Sequence, residues 1–502
     1  MSLRSLVALS LVCLSIFCVS IAHSDEYSIL ARTGVTVPIG EDLIYQSLLL
    51  SGTLELPAPR ISQFGQTLYH TRLGGSGAPA GLNYAVIRAE NDTRMSVFRQ
   101  GLQAPGLPSG VYLAGFSNLV MNAAGESTYV ASLYGSGVLS GVNDRAVFAE
   151  TPLGLQFLIR DGTPLPLAGY PAASVDWLEG NFLTDPNVGG SAIMSGRING
   201  TGLGNGLDVV LRQNGSEFTP TILGNTQLQD APPGTLFLST DPVVGPSGIV
   251  VYETTLYGPA VGTVNVNGVP INTNKALVVG EGADQRTLAR SGYQVQTEPA
   301  GIAFSLIFGG SSRRGFNTSG DFAFSASMVG PGIFTSNNWG IWLKRGGELT
   351  RVARLSDPAP LLGATYGSFP LASGASFVKL ADSGATIFTA MLLGGGATTS
   401  SNGTIIYAHD ASQTLVARAG VDIPSLPPGV RIKNSSLGLG VKTSTQGHVA
   451  IAAQLEGTGV TSANDVAVFL WSPDEPQNLR LICREGDVLG EYRIKTLSPA
   501  GT

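Results

Sequence analysis

The chain has 502 residues, only 13% of them charged and 66 of them glycine, which excludes a solvated, disordered tail protein. Its formal net charge is −6, from 29 Lys and Arg against 35 Asp and Glu, and it has no basic run, so a nucleic-acid partner is excluded. Four histidines and three cysteines leave few groups for imidazole or thiol chemistry.

The chain opens with an element to be removed. Arg4, an uncharged apolar stretch from Leu6 to Ala22, and the small-x-small step Ala22-His23-Ser24 read as a secretory signal peptide over residues 1–24. Its loss takes Arg4, moving the net charge from −6 to −7, and takes Cys13 and Cys18, leaving Cys483 without a disulfide partner. No later stretch reads as a membrane span. Residues 25–502 are therefore expected to be one exported domain, periplasmic or extracellular.

That domain is repetitive. A segment of the type Leu-x-x-x-Ala-Arg-x-Gly places its arginine at Arg32, Arg99, Arg160, Arg290, Arg354, Arg418 and Arg484, with Ile222 in a degenerate copy ending at Gly224. Successive copies close at intervals of 61 to 68 residues, which gives seven units of about 65. Each unit also holds two glycines separated by nine residues, starting at Gly65, Gly125, Gly190, Gly248, Gly320, Gly384 and Gly447. Between them the fourth position is large (Tyr69, Tyr129, Met194, Tyr252, Phe324, Phe388, Ile451), the sixth small, and the eighth large again. This alternation predicts a strand with one buried face. An asparagine at 83, 143, 205, 274, 338, 402 or 464 then opens a further strand. Adding an apolar segment before the first glycine and the Arg-x-Gly segment at the end gives four strands per unit.

Four antiparallel strands cannot bury both faces alone, and copies arranged around an axis can. The expected fold is all-β, a seven-bladed β-propeller built from seven repeats. Residues Tyr27 to Arg32 and Tyr492 to Leu497 are expected to supply a last and a first strand to a shared blade. A parallel β-helix has coils shorter than these units, and in a linear array of sandwiches each unit would be too small to fold alone.

The turn before the glycine strand reads Asn122-Ala-Ala-Gly125, Asn187-Val-Gly-Gly190 and Asn317-Thr-Ser-Gly320, with Ser62, Gly245, Ala381 and Ser444 in the other units. On these residues the chain resembles exported bacterial tandem-repeat proteins with an Asn-x-x-Gly signature. The resemblance implies a propeller-like scaffold of unknown function.

Repetition also guides the search for chemistry, since a copied side chain serves architecture and a unique one can serve function. The copied arginines are expected to bind carbonyls or a carboxylate between adjacent units. His70, His409 and His448 read as packing or surface residues, no His or Cys pair has metal-ligand spacing, and Gly200 to Gly206 reads as a loop without a helix to hold phosphate. Asn265-Val-Asn267-Gly268 lacks the carboxylates of a calcium loop. Asp176-Trp177-Leu178-Glu179 joins two acids to an aromatic, as sugar sites do, although a solvated turn with one packed Trp is the stronger reading of those residues. The longest departure from the repeat runs from Gly258 to Asn317, carries Glu281, Asp284, Arg313 and Arg314, and is the expected contact surface. No catalytic, cofactor-binding or metal-binding residue is assigned. The expected role is non-catalytic binding of a polysaccharide or an envelope protein, with a polysaccharide-active hydrolase or lyase and a purely structural surface protein as alternatives.

Overall fold

A computed structural model describes residues 8–9, 19–21, 27–29, 44–47 and most of 60–497; outside the description within that last range are 63, 76–82, 91–92, 152–153, 168–169, 184–191, 204–205, 309–313, 370–377, 438–439, 490–491 and 495–496. The chain forms two compact units, Met1–Leu223 with Lys495–Ser498 and Gly224–Ile494 with Pro499–Thr502. It is an all-β, seven-bladed β-propeller, with three blades in the first unit and four in the second. Among the described residues no helix is long and apolar enough to cross a membrane.

Each blade is a four-stranded antiparallel meander in chain order, as blade 2 illustrates. Its leading strand Val111–Met121 pairs with the glycine strand Ser127–Gly135, followed by the asparagine strand Arg145–Thr151 and the arginine strand Gly154–Arg160. In blades 1, 5, 6 and 7 the leading strand comes in two pieces, for example Ala364–Ser368 and Val378–Leu380, both paired with Thr386–Gly394.

The glycine strands form the core. The fourth-position side chains Tyr129, Met194, Tyr252, Phe324, Phe388 and Ile451 are fully buried, as are the small residues Ala131, Ala326 and Ala453 and the large ones after them, such as Ile198 and Leu392. The alternate positions are buried too: Leu68, Val130, Ile193, Val251 and Ile387 lie on the opposite face. The expectation of one buried face is therefore corrected, since every glycine strand is covered on both sides. Small polar residues such as Thr71, Thr254 and Ser325 are buried among them.

The turn ahead of the glycine strand has a side-chain lock. Asn122 Oδ1 accepts the N–H of Glu126 (3.0 Å) and Asn317 Oδ1 that of Asp321 (2.9 Å). Ser62 and Ser444 make the same bond through their hydroxyls, to Gln66 (3.2 Å) and His448 (3.1 Å), so serine conserves the geometry where asparagine is replaced. At the other end of the strand, the closing glycine lets two backbones meet. Gly135 has φ 113°, and a Cβ there would stand 2.0 Å from the carbonyl oxygen of Gly110.

Five of the copied arginines make one recurring contact. The Nε–H groups of Arg160, Arg290, Arg354, Arg418 and Arg484 donate to the carbonyls of Asn143, Thr273, Asn337, Ser401 and Asn464, at 2.5 to 3.0 Å. These carbonyls lie just before the asparagine strand of the same blade, which corrects the expected bridge between adjacent units. Arg32 lies outside the described residues. In the degenerate copy, Leu223 takes the arginine's place opposite Val209, and Asn225 closes the turn with φ 63°, one residue beyond the expected Ile222 and Gly224. Likewise Asn337 and Ser401, not Asn338 and Asn402, cap the loops, accepting the N–H of Phe334 (2.7 Å) and Thr398 (3.0 Å).

Each Arg-x-Gly turn then hands the chain to the next leading strand. The Gly101 N–H donates to Leu113 O and the Leu113 N–H returns to Leu102 O, and the pattern recurs with Gly162 and Val175, Gly292 and Phe304, and finally Gly486 and Ile494. Val488–Leu489 pairs with Tyr492–Arg493 in this last copy, so the expected terminal first strand starts as a leading strand does. The expected strand from Tyr27 to Arg32 is seen as Tyr27–Ile29, but it pairs with Val19–Ile21 in a separate sheet and not with a blade, which corrects the expected shared blade at this end.

Two stability outcomes follow from this geometry. Arg418→Ala, which strands the carbonyls of Ser401 and Gly396, should cost about 1–3 kcal/mol in urea unfolding, and Arg418→Lys should recover only part of it because one ammonium cannot reproduce the fork. Ala453→Leu, at a fully buried small position, should lower stability by about 1–3 kcal/mol through overpacking, and an unchanged midpoint would contradict the packing described.

Candidate functional site

The histidines and the cysteine singled out in the sequence have structural surroundings. His70 is buried beside Phe116, ring centroids 6.1 Å apart, and burial pulls its pKa down to about 4, so it stays neutral. His448 Nδ1 meets the Ser444 hydroxyl at 3.2 Å, and His409 Nε2 lies 3.1 Å from Ser383 O. Cys483 sits on the last arginine strand with its thiol pushed up to about 12 by burial, which leaves it unreactive. Among the described residues no three His, Cys, Asp or Glu side chains come together as metal ligands would.

Asp176 and Trp177 lie on the leading strand Ser174–Leu183 of blade 3, whose pairing shifts register between Val175 and Trp177 and again between Leu178 and Gly180. The side chain of Glu179 is outside the described residues. Trp177 is 42% exposed, with the Arg145 guanidinium 3.4 Å from its ring centroid. Beneath them Asp161, the residue between Arg160 and Gly162, is 2% exposed and accepts the Leu178 N–H on Oδ1 at 3.0 Å. Burial raises its pKa to about 7 against the opposing hydrogen bond from Leu178 and the charge of Arg145, while Asp144 and Asp176 add to the rise. Asp161 was not among the residues chosen from sequence, although it is the one aspartate at that repeat position. Its oxygen is committed to a bulged backbone and it is closed to solvent, so this cluster anchors the strand.

The blade 4 departure from the repeat is built differently. Between its glycine strand Val250–Tyr257 and asparagine strand Lys275–Val279, the chain inserts a hairpin, Thr263–Val266 paired with Val269–Asn272. Asn267 (φ 51°) and Gly268 (φ 84°) form its two-residue turn, closed by the Gly268 N–H donating to Asn265 Oδ1 at 2.7 Å. The Asn265-Val-Asn267-Gly268 stretch, set aside as a poor calcium loop, is thus a hairpin signal that the sequence carried openly. The hairpin rests on Gly292, where a Cβ would come within 2.6 Å of Val264.

Tyr293, 45% exposed, stands between two cavities. One of about 460 Å³ is bounded by the hairpin, Ala260, Thr273 and Gln294, and one of about 360 Å³ by Asp230, Thr287, Gln296 and Phe304. The surroundings fix the ring. Arg290 lies 4.6 Å from the ring centroid and donates to the carbonyls of Thr273 and Ala260, both at 3.0 Å. Gln294 Nε2 donates to Val295, Glu298 and Pro299 carbonyls while its Oε1 accepts the Gly301 N–H at 2.9 Å. Buried Glu298 is held by both Arg351 and Arg354, and Trp342 Nε1 donates to Thr297 Oγ1 at 3.1 Å. Asp230 Oδ1 accepts the Thr287 hydroxyl at 2.7 Å. Not all the residues expected in the Gly258–Asn317 surface join this site. Asp284 lies on the turn Gly282–Asp284 that begins after Val279, at the opposite end of the blade, with Glu281 preceding it. Arg313 and the side chain of Arg314 lie outside the described residues.

The Asp161 carboxyl makes a pH-dependent contribution with a definite sign. Its folded pKa lies above its ordinary value of 3.8, so its stabilisation is present below 3.8 and is lost as pH rises to about 7. Asp161→Asn keeps an oxygen for the Leu178 N–H and cannot ionise. Its gain in thermal midpoint should be larger near pH 8 than near pH 4; equal shifts at both would show that the carboxyl is not protonated in the fold.

No curated protein matches this chain. Among solved structures, the β-propeller domain of the Trilobed protease from Pyrococcus furiosus is similar over 87% of this chain and 97% of that one, at 7% identity and a TM-score of 0.40. An acylaminoacyl peptidase in complex with a chloromethyl ketone is similar over 86% of this chain and 52% of that one, at 8% identity and a TM-score of 0.40, so this chain spans about half its length. The α-L-arabinofuranosidase Arb93A from Fusarium graminearum is similar over 72% and 93%, at 10% identity and a TM-score of 0.30. Residues 21–369 and, in an overlapping second match, 257–491 match a single family. The chain belongs to DUF7453, a family of unknown function.

Proposed function

We propose that the chain is an exported, non-catalytic propeller scaffold that binds a glycan at Tyr293. Export rests on the charge and apolar pattern of residues 1–24. The observation that carries the binding reading is an exposed tyrosine held between two open cavities whose other walls mix apolar side chains such as Val264 and Leu288 with Thr273, Thr287, Gln294 and Gln296, and in the second cavity with Asp230 and Arg290. The C–H face of a hexose packs on an aromatic ring, and its hydroxyls need donors and acceptors on either side. Arg290 covers one side of the ring and ties down the loop beneath it, so little order remains to be imposed on binding. A polysaccharide-active enzyme is the second reading. It is favoured by the raised pKa of Asp161 beside Asp176 and Trp177, and opposed by the burial of Asp161.

Thermal unfolding of the chain against a panel of polysaccharides, with reducing-sugar release assayed on the same samples, separates these readings. A ligand at a hundred times its dissociation constant adds about 2.7 kcal/mol, a visible shift. The expected outcome is a shift without sugar release that Tyr293→Ala abolishes. Sugar release sensitive to Asp161→Asn would establish the enzyme instead.

A further inference from the structure

We infer that blade 2 carries a second glycan-binding platform, Tyr112 with Tyr134, and that its ligand is an uncharged polysaccharide. The inference rests on the glycan reading above and concerns a different unit of the chain. In every blade, one residue near the start of the leading strand faces the ninth residue of the glycine strand. Ser174 faces Asn199, Thr365 faces Leu393 and Arg431 faces Glu456. Only in blade 2 are both residues aromatic, Tyr112 opposite Tyr134. The backbone beneath them is copied from blade to blade, including the close approach of Gly135 to Gly110 that recurs at Gly258 and Gly457. Architecture therefore accounts for the position and not for the rings.

The two rings lie 5.5 Å apart, inclined at 35°, and are 36% and 37% exposed. Leu102, Leu139 and Val142, in the chain segments that flank the two strands, are exposed as well. The supporting loops are fixed by their own side chains. Gln103 Nε2 donates to the Pro108 carbonyl (3.0 Å) while its Oε1 accepts the Gly110 N–H (3.0 Å). Asn143 Oδ1 accepts the Leu139 N–H (2.7 Å) and its Nδ2 donates to the Gly137 carbonyl (3.1 Å). A rigid pair of rings binds with little loss of side-chain freedom.

Charge identifies the ligand class. Residues 100–125 and 127–143 contain no Asp, Glu, Lys or Arg, and Glu126 between them lies at the far end of the blade, bound to Asn122 at 2.8 Å. Arg99 and Asp144 border this stretch, Arg145 has its guanidinium over the Trp177 ring, and Arg160 has its Nε committed to the Asn143 carbonyl. This stretch, which includes Ser109, Ser136 and Ser140, supplies no cation for an acidic polysaccharide and no carboxylate for a basic segment, whereas the apolar faces of neutral sugars match the two tyrosines.

The full chain, Tyr112→Ala/Tyr134→Ala, Tyr112→Phe/Tyr134→Phe and Tyr293→Ala are compared by affinity electrophoresis. The gels contain galactomannan, soluble β-glucan or polygalacturonate, at low and high salt. Thermal midpoints within the parent's range confirm that the variants fold. The inference predicts salt-insensitive retention in a neutral gel, weakened about tenfold or more by the double alanine and kept by the double phenylalanine. A double alanine that binds like the parent, while Tyr293→Ala does not, would overturn the blade 2 platform and leave the blade 4 reading intact. Retention confined to polygalacturonate and removed by salt would overturn the neutral ligand. A parent chain retarded by none of the three would overturn both.

Discussion

The glycine strand, buried on both faces, is the constraint on which the rest of the fold depends. A strand in the middle of a solvated sheet needs one apolar face; a strand inside a stack of blades needs two, and it must also match the shape of its neighbours. The large residue at its fourth position and the small one at its sixth meet that second demand, because interiors close-pack only when bulk on one sheet faces a recess on the next. Tyr129 and Ala131, or Phe388 and Ala390, are therefore parts of one packing unit. Sequence divergence between the repeats follows the same rule, since methionine, tyrosine, phenylalanine and isoleucine exchange at the fourth position while the sixth stays small.

Once the strand centres are packed, the strand ends must satisfy their backbone without the help of helices. Three copied devices do this. Asparagine or serine closes the turn ahead of the glycine strand, arginine Nε anchors the loop ahead of the asparagine strand, and the Gly N–H of the Arg-x-Gly turn reaches the next leading strand. A fourth device, the connector amide of Gln103, Gln227 and Gln294, binds several carbonyls and one N–H of its own loop. Loops fixed in this way can present a side chain to solvent in one geometry, which is what Tyr112 and Tyr293 share.

Much of this was legible in the residues. Repeat length, the four strands and the packing of the fourth, sixth and eighth positions all follow from spacing, because each is enforced seven times. What escaped was information that depends on three-dimensional neighbours. Alternation within one strand does not say how many faces are covered, so the second buried face of the glycine strand was missed. Leu223 and Asn225 were misregistered by one residue because a left-handed asparagine can close a turn as glycine does. The arginines could as well have bridged adjacent units until the Ser401 and Asn337 carbonyls fixed their partners. The Asn267-Gly268 pair is by contrast a local hairpin signal that needs no three-dimensional neighbour. Asp161 gives no signal beyond its rarity at a copied position, and its raised pKa arises first from burial, with Asp144 and Asp176 adding to it.

The copied and the unique thus separate by physics: what recurs satisfies backbone and packs the core, and the exposed tyrosines Tyr112, Tyr134 and Tyr293 stand beside braced connectors. Hydrogen exchange of the full chain, alone and with a retained neutral polysaccharide, tests that separation most directly. The account predicts the slowest exchange in the seven glycine strands, unchanged by ligand, with new protection confined to the connectors and loops around Tyr293 and Tyr112. Ligand-induced protection spread evenly over the Arg-x-Gly turns of all blades would contradict it, because binding would then belong to the copied architecture.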